Sequence, residues 1–213
     1  THDRQLRKEE RDFALRRDIY IDATEAFVRC AASFERLMDL SIPADKVGEV
    51  FVEKIPVISK MHVIGEQAVV TVGAELAVEI GVLFQELLVK RVPLDTARGS
   101  IRNLDAQIEQ AQVQKTKILD MMMSHNLEQA PDPRRFAVLQ GNFDFHQRIG
   151  QEANSQRQEA WQKLIALQVS FGRDCMDAIS KVNGLSAQLL LAMRGELGYP
   201  FDDRAYMAIV SRA

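Results

Sequence analysis

Metal chemistry in a helical protein would show first in the spacing of histidines and carboxylates. Di-metal carboxylate bundles need Glu-x-x-His on two helices, but the residues three before His62, His125 and His146 are Ser59, Met122 and Phe143. His62 and Glu66 stand at i, i+4; one such pair falls short of the ligand count a metal needs and reads as a surface or capping interaction. His125 continues an apolar seam and His146 lies beside Phe143 and Phe145, so both read as bundle-edge residues. Cys30 and Arg36 satisfy Cys-x5-Arg, the spacing of a phosphatase phosphate loop. That loop needs a backbone free to aim its N–H groups at phosphate, whereas Ala31 to Glu35 are continuous helix formers. No Walker-type glycine loop, dinucleotide fingerprint, nucleophile elbow, His-Glu-x-x-His or Cys-x-x-Cys occurs. The residues therefore point to no catalytic group, no metal and no cofactor, and the expectation is that the protein is not an enzyme.

Two other residue groups carry weaker chemical suggestions. Met121, Met122 and Met123 could form an adaptable binding surface, since thioethers repack easily, but three consecutive residues cannot share one helical face, so the run reads as core plus flank. Cys30 and Cys175 are too few for a disulfide scaffold in 213 residues; both fall on apolar faces and read as buried thiols.

The elements that carry these residues are helices. Residues 57–89 form a run that is apolar nearly all the way round yet holds Glu75, Glu79 and Glu86, each expensive at the centre of a bilayer. In steps of four, Gly65, Val69, Gly73, Ala77 and Gly81 make a stripe of small residues, with Gln67, Thr71, Glu75 and Glu79 displaced to the opposite face. Gly65, Gly73, Ala77 and Gly81 are thus the candidates for close helix packing, inside a bundle or in an oligomer, with a ligand groove as the remaining use. The run should be the central helix.

Around it the pattern predicts helices over residues 3–40, 56–91, 96–128 and 133–197, and a short one over 202–210. The first carries a heptad-like seam of Leu6, Phe13, Tyr20, Phe27, Phe34 and Leu37, and Ser41-Ile42-Pro43 stops it. A short helical piece covers 44–53, and Pro56 suits a first turn. Val92-Pro93-Leu94-Asp95 reads as a tight turn, and Pro131-Asp132-Pro133 as another with Asp132 the cap. The fourth helix would span about 95 Å against about 50 to 57 Å for the others; either it breaks, best at Asn183-Gly184, or it projects. Gly198-Tyr199-Pro200 ends it. The expected architecture is all-α: one domain over 1–213, an elongated antiparallel bundle of four long helices in up-down-up-down order. Its excess fourth-helix length leaves Leu189, Leu190, Met193, Tyr199, Phe201 and Tyr206 as a candidate interaction surface, packing on the charged start of the first helix, a second copy or a membrane surface.

Composition fits a soluble domain: 46% hydrophobic and 27% charged residues, a formal net charge of -3 and a pI near 5.9, which gives no electrostatic reason to expect nucleic acid. The start of the chain interleaves Arg4, Arg7, Lys8, Arg11, Arg16 and Arg17 with Asp3, Glu9, Glu10 and Asp12. It reads either as a solvated helix with i, i+4 pairs or as a juxtamembrane segment obeying the positive-inside rule. Since the chain opens without Met on Thr1, a membrane tether upstream of Thr1 is the expectation on the second reading.

The stretch Arg16-Arg17-Asp18-Ile19-Tyr20-Ile21-Asp22-Ala23-Thr24-Glu25-Ala26 and the later Arg194-Gly195-Glu196-Leu197-Gly198-Tyr199-Pro200-Phe201-Asp202 are similar to a loose group of uncharacterised bacterial proteins. In that group an N-terminal transmembrane helix leads into a long-helical soluble region. The resemblance covers about a quarter of the chain and implies a membrane-tethered parent but no activity. Together these readings lead to a non-catalytic helical-bundle interaction or scaffold protein, the soluble cytoplasmic part of a membrane-anchored bacterial protein, working through a protein partner or self-association. The rivals are a ligand-responsive helical sensor and an immunity or antitoxin-like protein that neutralises an effector by surface contact.

Overall fold

Four helices account for the regular structure among residues 2–130 and 132–199, which the computed structural model describes: α1 (His2–Met38), α2 (Ala44–Ile64), α3 (Gln67–Asn126) and α4 (Pro133–Glu196). The protein is all-α, with no strand among the described residues. The chain divides into two compact units: residues through Arg91 with those from Ser170 onward, and Val92–Val169. α3 and α4 contribute to both.

In the first unit the core is built from one stripe of each helix. α1 supplies Tyr20, Ala23, Phe27, Cys30, Phe34 and Leu37; α2 supplies Val47, Ile58 and Met61; α3 supplies Val69, Leu76, Ile80, Phe84 and Leu87; α4 supplies Phe171, Cys175, Val182, Leu189 and Met193. The α1 residues recur at three and four, which puts them on one face of a helix. The rings of Phe34 and Phe51 both pack on Phe84. Arg91 is the exception, a guanidinium at 1% exposure. Its Nη2 donates to the carbonyls of Asp39 (3.4 Å) and Ile42 in the turn that follows α1, which places a cation near the negative pole of that helix.

The second unit has a thinner core of Leu94, Ala97, Ile101, Ala111, Ile118, Ala153 and Leu164. Gly150 lets α4 approach α3: a Cβ there would stand 3.5 Å from that of Ala111. Arg157 pairs with Asp105 at 2.9 Å, and Lys115 lies over the Phe143 ring. At the hairpin end His125 is buried against Phe136, and Asp132 caps α4 by accepting the N–H of Arg134 at 2.9 Å.

Two helix boundaries differ from the sequence expectation. Residues 56–91 are not one helix: Pro56 lies inside α2, and the break falls at Gly65 and Glu66. Gly65 closes α2 in an extended conformation, its N–H donating to the Met61 carbonyl at 2.9 Å. A Cβ there would come within 2.9 Å of that carbonyl oxygen and 3.2 Å of the Tyr20 hydroxyl, so the position needs glycine for close approach. The expected turn at 92–95 is absent, because α3 continues through Pro93. Proline removes one ladder bond, but burial holds the helix on both sides, Leu87 and Arg91 before it and Leu94 and Ala97 after it. Of the two courses the sequence left open for the fourth helix, the unbroken one is found: α4 runs through Asn183 and Gly184, anchored by buried Val182 and Ala187. It ends in a Schellman motif: Gly198 takes φ +71°, its N–H donates to the Gly195 carbonyl, and the Tyr199 N–H to that of Arg194. The helix expected over 202–210 lies outside the described residues.

A candidate docking groove between α2 and α3

The two halves of the small-residue stripe meet different surroundings. At Gly73 an added Cβ would lie 2.1 Å from the Met61 Cε and 3.6 Å from a Leu189 methyl; with Gly65 it makes the closely packed end. At Gly81 nothing lies within 4 Å. Gly81 and Ala77 instead line an open apolar groove of about 570 Å³ in the first unit, with Ala44, Gly48, Val52 and Ile55 of α2 opposite. Phe27 and Cys30 of α1 and Ile58, Ile80 and Phe84 lie at its base, while Ser59, His62, Asp45 and Gln85 add polar groups. Of the four positions expected to pack closely, Gly65 and Gly73 meet near neighbours, whereas Gly81 faces open space and Ala77 lines the groove.

Beside the groove α3 presents Val78 (65% exposed), Val82 and Val89 (70%), and α2 presents Val52 (76%), Ile55 and Val63. With Gln85, the α3 residues step by four, three and four, the spacing of a coiled-coil seam. The expectation that this apolar run buries most of its circumference is therefore not met. Among the described residues α3 is the one helix long and apolar enough to cross a membrane by length and composition, yet only 28% of its most apolar 18-residue window is buried. Glu75 and Glu86 are exposed on it, and Glu79 pairs with Lys181 at 2.6 Å.

The closed end is sealed by a carboxylate that the spacing of residues gave no reason to single out. Glu196 of α4, 3% exposed at its side chain, accepts hydrogen bonds from Arg16 (3.1 Å), from the Tyr20 hydroxyl (2.5 Å) and from the backbone N–H of Glu66 (3.0 Å). The last contact sets a negative charge at the N-terminus of α3, where the helix dipole favours it. Burial first, then the hydrogen bond to Glu196 and its charge, push the Tyr20 phenol well above its ordinary range. The only sequence signal was position, a Glu in the last turn of a helix where cations are favoured.

His62 is exposed on α2, whereas Glu66 lies in the link to α3, so the two do not share a helix. No group of three or more His, Cys, Asp or Glu able to hold a metal occurs among the described residues. Cys30 and Arg36 are both within α1, Cys30 buried and Arg36 exposed, and no loop exists there to cradle phosphate. Both cysteines are free and buried; burial pushes each thiol up to about 11, helped at Cys175 by the charge of Asp174. Of the C-terminal surface candidates, Leu189 and Met193 are buried in the first unit, since the end of α4 packs on α1: Thr24 meets Met193, and the Phe13 and Tyr199 rings meet edge to face. They are core residues rather than a free surface. Leu190 and Tyr199 line a second apolar groove, about 590 Å³, with Ile21 and Val28. Phe201 and Tyr206 lie outside the described residues.

No family model, curated protein or solved structure matches this chain.

Proposed function

We propose that this is a non-catalytic helical-bundle protein that works by docking a helix of a partner. The observation that carries the reading is the exposed valine seam of α3 beside an open apolar groove. Single exposed apolar residues are ordinary, but a contiguous apolar patch on a soluble domain marks an interaction site, and a helix lying in a groove is a recurrent mode of recognition. An up-down order of the helices supports it, since it leaves α2 and α3 side by side. Contact partners run in opposite chain directions, from Gly48 with Phe84 to Gly73 with Met61, and from Arg16 with Glu196 to Thr24 with Met193. The Arg and Lys residues at the start of α1 fit a bacterial protein held at the cytoplasmic face of the inner membrane, the location we propose.

The test is a photo-crosslinking side chain at position 82, compared with one at Arg29 on the charged face of α1. A discrete protein adduct from position 82 alone, lost in Gly81→Leu, is the expected result. Adducts to lipid, or none, would remove the reading. The groove volume also favours a second reading, a ligand-responsive sensor, because about 570 Å³ with a few polar groups falls within the range of small-molecule pockets. An apolar dye that binds at the groove and raises the melting temperature in the parent but not in Gly81→Leu would favour the sensor.

A further inference from the structure

We infer that the apolar groove between α1 and α4 is the seat of this chain's own residues 201–210, laid along it as a short amphipathic helix. The groove, about 590 Å³ in the first unit, is walled by Arg17, Ile21, Thr24 and Val28 of α1 and by Leu190, Arg194 and Leu197 of α4. Steps of three and four put each set on one face of its helix. The two helices run in opposite chain directions, since Arg16 meets Glu196 and Thr24 meets Met193. Two such faces side by side leave a trough of the shape that a third helix fills. Tyr20 and Met193 lie buried beneath it, whereas Ile21 is 59% and Val28 62% exposed, large apolar side chains that the described residues leave open.

The chain itself arrives at the mouth of this groove. Gly198, at φ +71°, turns the backbone out of α4, and Tyr199, the last described residue, is part of the lining. The sequence that follows carries Phe201, Ala205, Tyr206, Ile209 and Val210. At 3.6 residues per turn these share one half of a helical wheel, with Asp203, Arg204, Met207 and Ser211 on the other. Ten residues of helix span about 15 Å, and the groove from Arg17 to Val28 about 17 Å, so segment and groove match in length. They also match in charge. The groove carries Arg17 and Arg194 towards the end where the segment enters, and the segment opens with Asp202 and Asp203, the opposite sign. Joined to the groove through Pro200 alone, the segment meets it at an effective concentration on the order of millimolar. A partner protein or a second copy would have to displace it.

Limited trypsin digestion of the whole chain tests the contact, because cleavage after Arg204 reports how often the segment leaves the groove. The loss of residues 205–213 is followed by intact mass, with cleavage after Arg135 in the second unit as the internal control. Ile21→Asp with Val28→Asp puts charge into the groove and should speed cleavage after Arg204 about tenfold or more, leaving the control unchanged. Phe201→Ser with Ile209→Ser alters the segment, leaves α1 intact and should do the same. In a third variant, Val28→Cys with Ile209→Cys, a short bifunctional maleimide should join the two positions within one chain, both native cysteines being buried. Equal cleavage of the parent and of both charged and polar variants would overturn the inference. So would a crosslink that joins two chains in a dimer, which assigns the groove to a second copy, or protection of Arg204 that appears only on anionic vesicles, which assigns the segment to a bilayer.

Discussion

Gly73 and Gly81 occupy equivalent places in one stripe of one helix, eight residues apart, yet one is closed and the other open. At Gly73 the neighbouring chain is so near that a single added carbon would fall inside the Met61 side chain, whereas at Gly81 the same carbon meets nothing. What differs is what the other helices do. Near Gly73, α2 is turning into α3 and the end of α4 is tied across by Glu196. Farther along α3, α2 meets it through the Phe51 and Phe84 rings and leaves the groove beside Gly81. A small residue in a helix costs roughly 0.5 to 1 kcal/mol relative to Ala when it is glycine. At Gly73 internal packing offsets that cost, and at Gly81 nothing within the unit does.

The largest effect is expected from removing the seal at the closed end. Glu196→Ala takes one acceptor away from three donors at once, Arg16, Tyr20 and the Glu66 N–H. Breaking a buried charged network costs about 3 kcal/mol or more, so chemical denaturation should show a loss of that order. Glu196→Gln, which keeps an acceptor, should lose less. A Glu196→Ala protein as stable as the parent would mean that the carboxylate is an ornament of the closed end rather than its fastening.

Gly73→Leu comes next, at about 2 kcal/mol of destabilisation from overpacking. The Met61 methyl, at the flexible end of its side chain, can give way to a Cβ, but Met61 is fully buried and a Leu189 methyl lies 3.6 Å from that Cβ, so the further carbons of a leucine find no room. Gly73→Ala should cost much less, because only the thioether end must shift. Thermal and urea unfolding of the two variants would separate a packed contact from an open one.

Which end of the stripe would be closed was not legible in the sequence, and the reason is physical. Spacing by four puts Gly73, Ala77 and Gly81 on one face of α3, and would have added Gly65 had the helix run unbroken through it; it says nothing of how near the next helix comes. The caps were legible because their cause is local: Asp132 before Pro133, and Gly198 at the end of α4, act through their own backbone. Pro93 misled for the converse reason. A proline is a local signal for a break, and here it was overridden by burial of Leu87, Arg91, Leu94 and Ala97 around it. Glu196 was invisible because its three partners come from positions 130 to 180 residues away.

Alkaline pH probes the first unit without mutation. Cys30, at the base of the groove, and Cys175, in the core, both have thiols raised by burial from 9.0 to about 11. The unfolded chain therefore releases these protons first, and the stabilisation present below about pH 9 is lost as pH rises towards 11. Tyr20, raised by burial and by Glu196, acts in the same direction above about pH 10. The melting temperature should fall by a few degrees over this range, and Cys30→Val should remove part of the fall. A flat profile would show that water reaches the groove base freely in the native state.

The smallest effect on stability should come from Gly81→Leu, and its sign is the sharpest part of the comparison. Replacing glycine within a helix gains up to about 1 kcal/mol of propensity. No atom lies within 4 Å of the new Cβ, so the overpacking that penalises Gly73→Leu is absent. The leucine side chain can also lie over the apolar groove wall, removing some of that surface from water. The variant should therefore melt at or slightly above the parent temperature while its groove is filled. A destabilised Gly81→Leu would mean that α2 closes over this end of α3 as it does at Gly73, and that the groove is a transient separation of two packed helices rather than a standing feature of the protein.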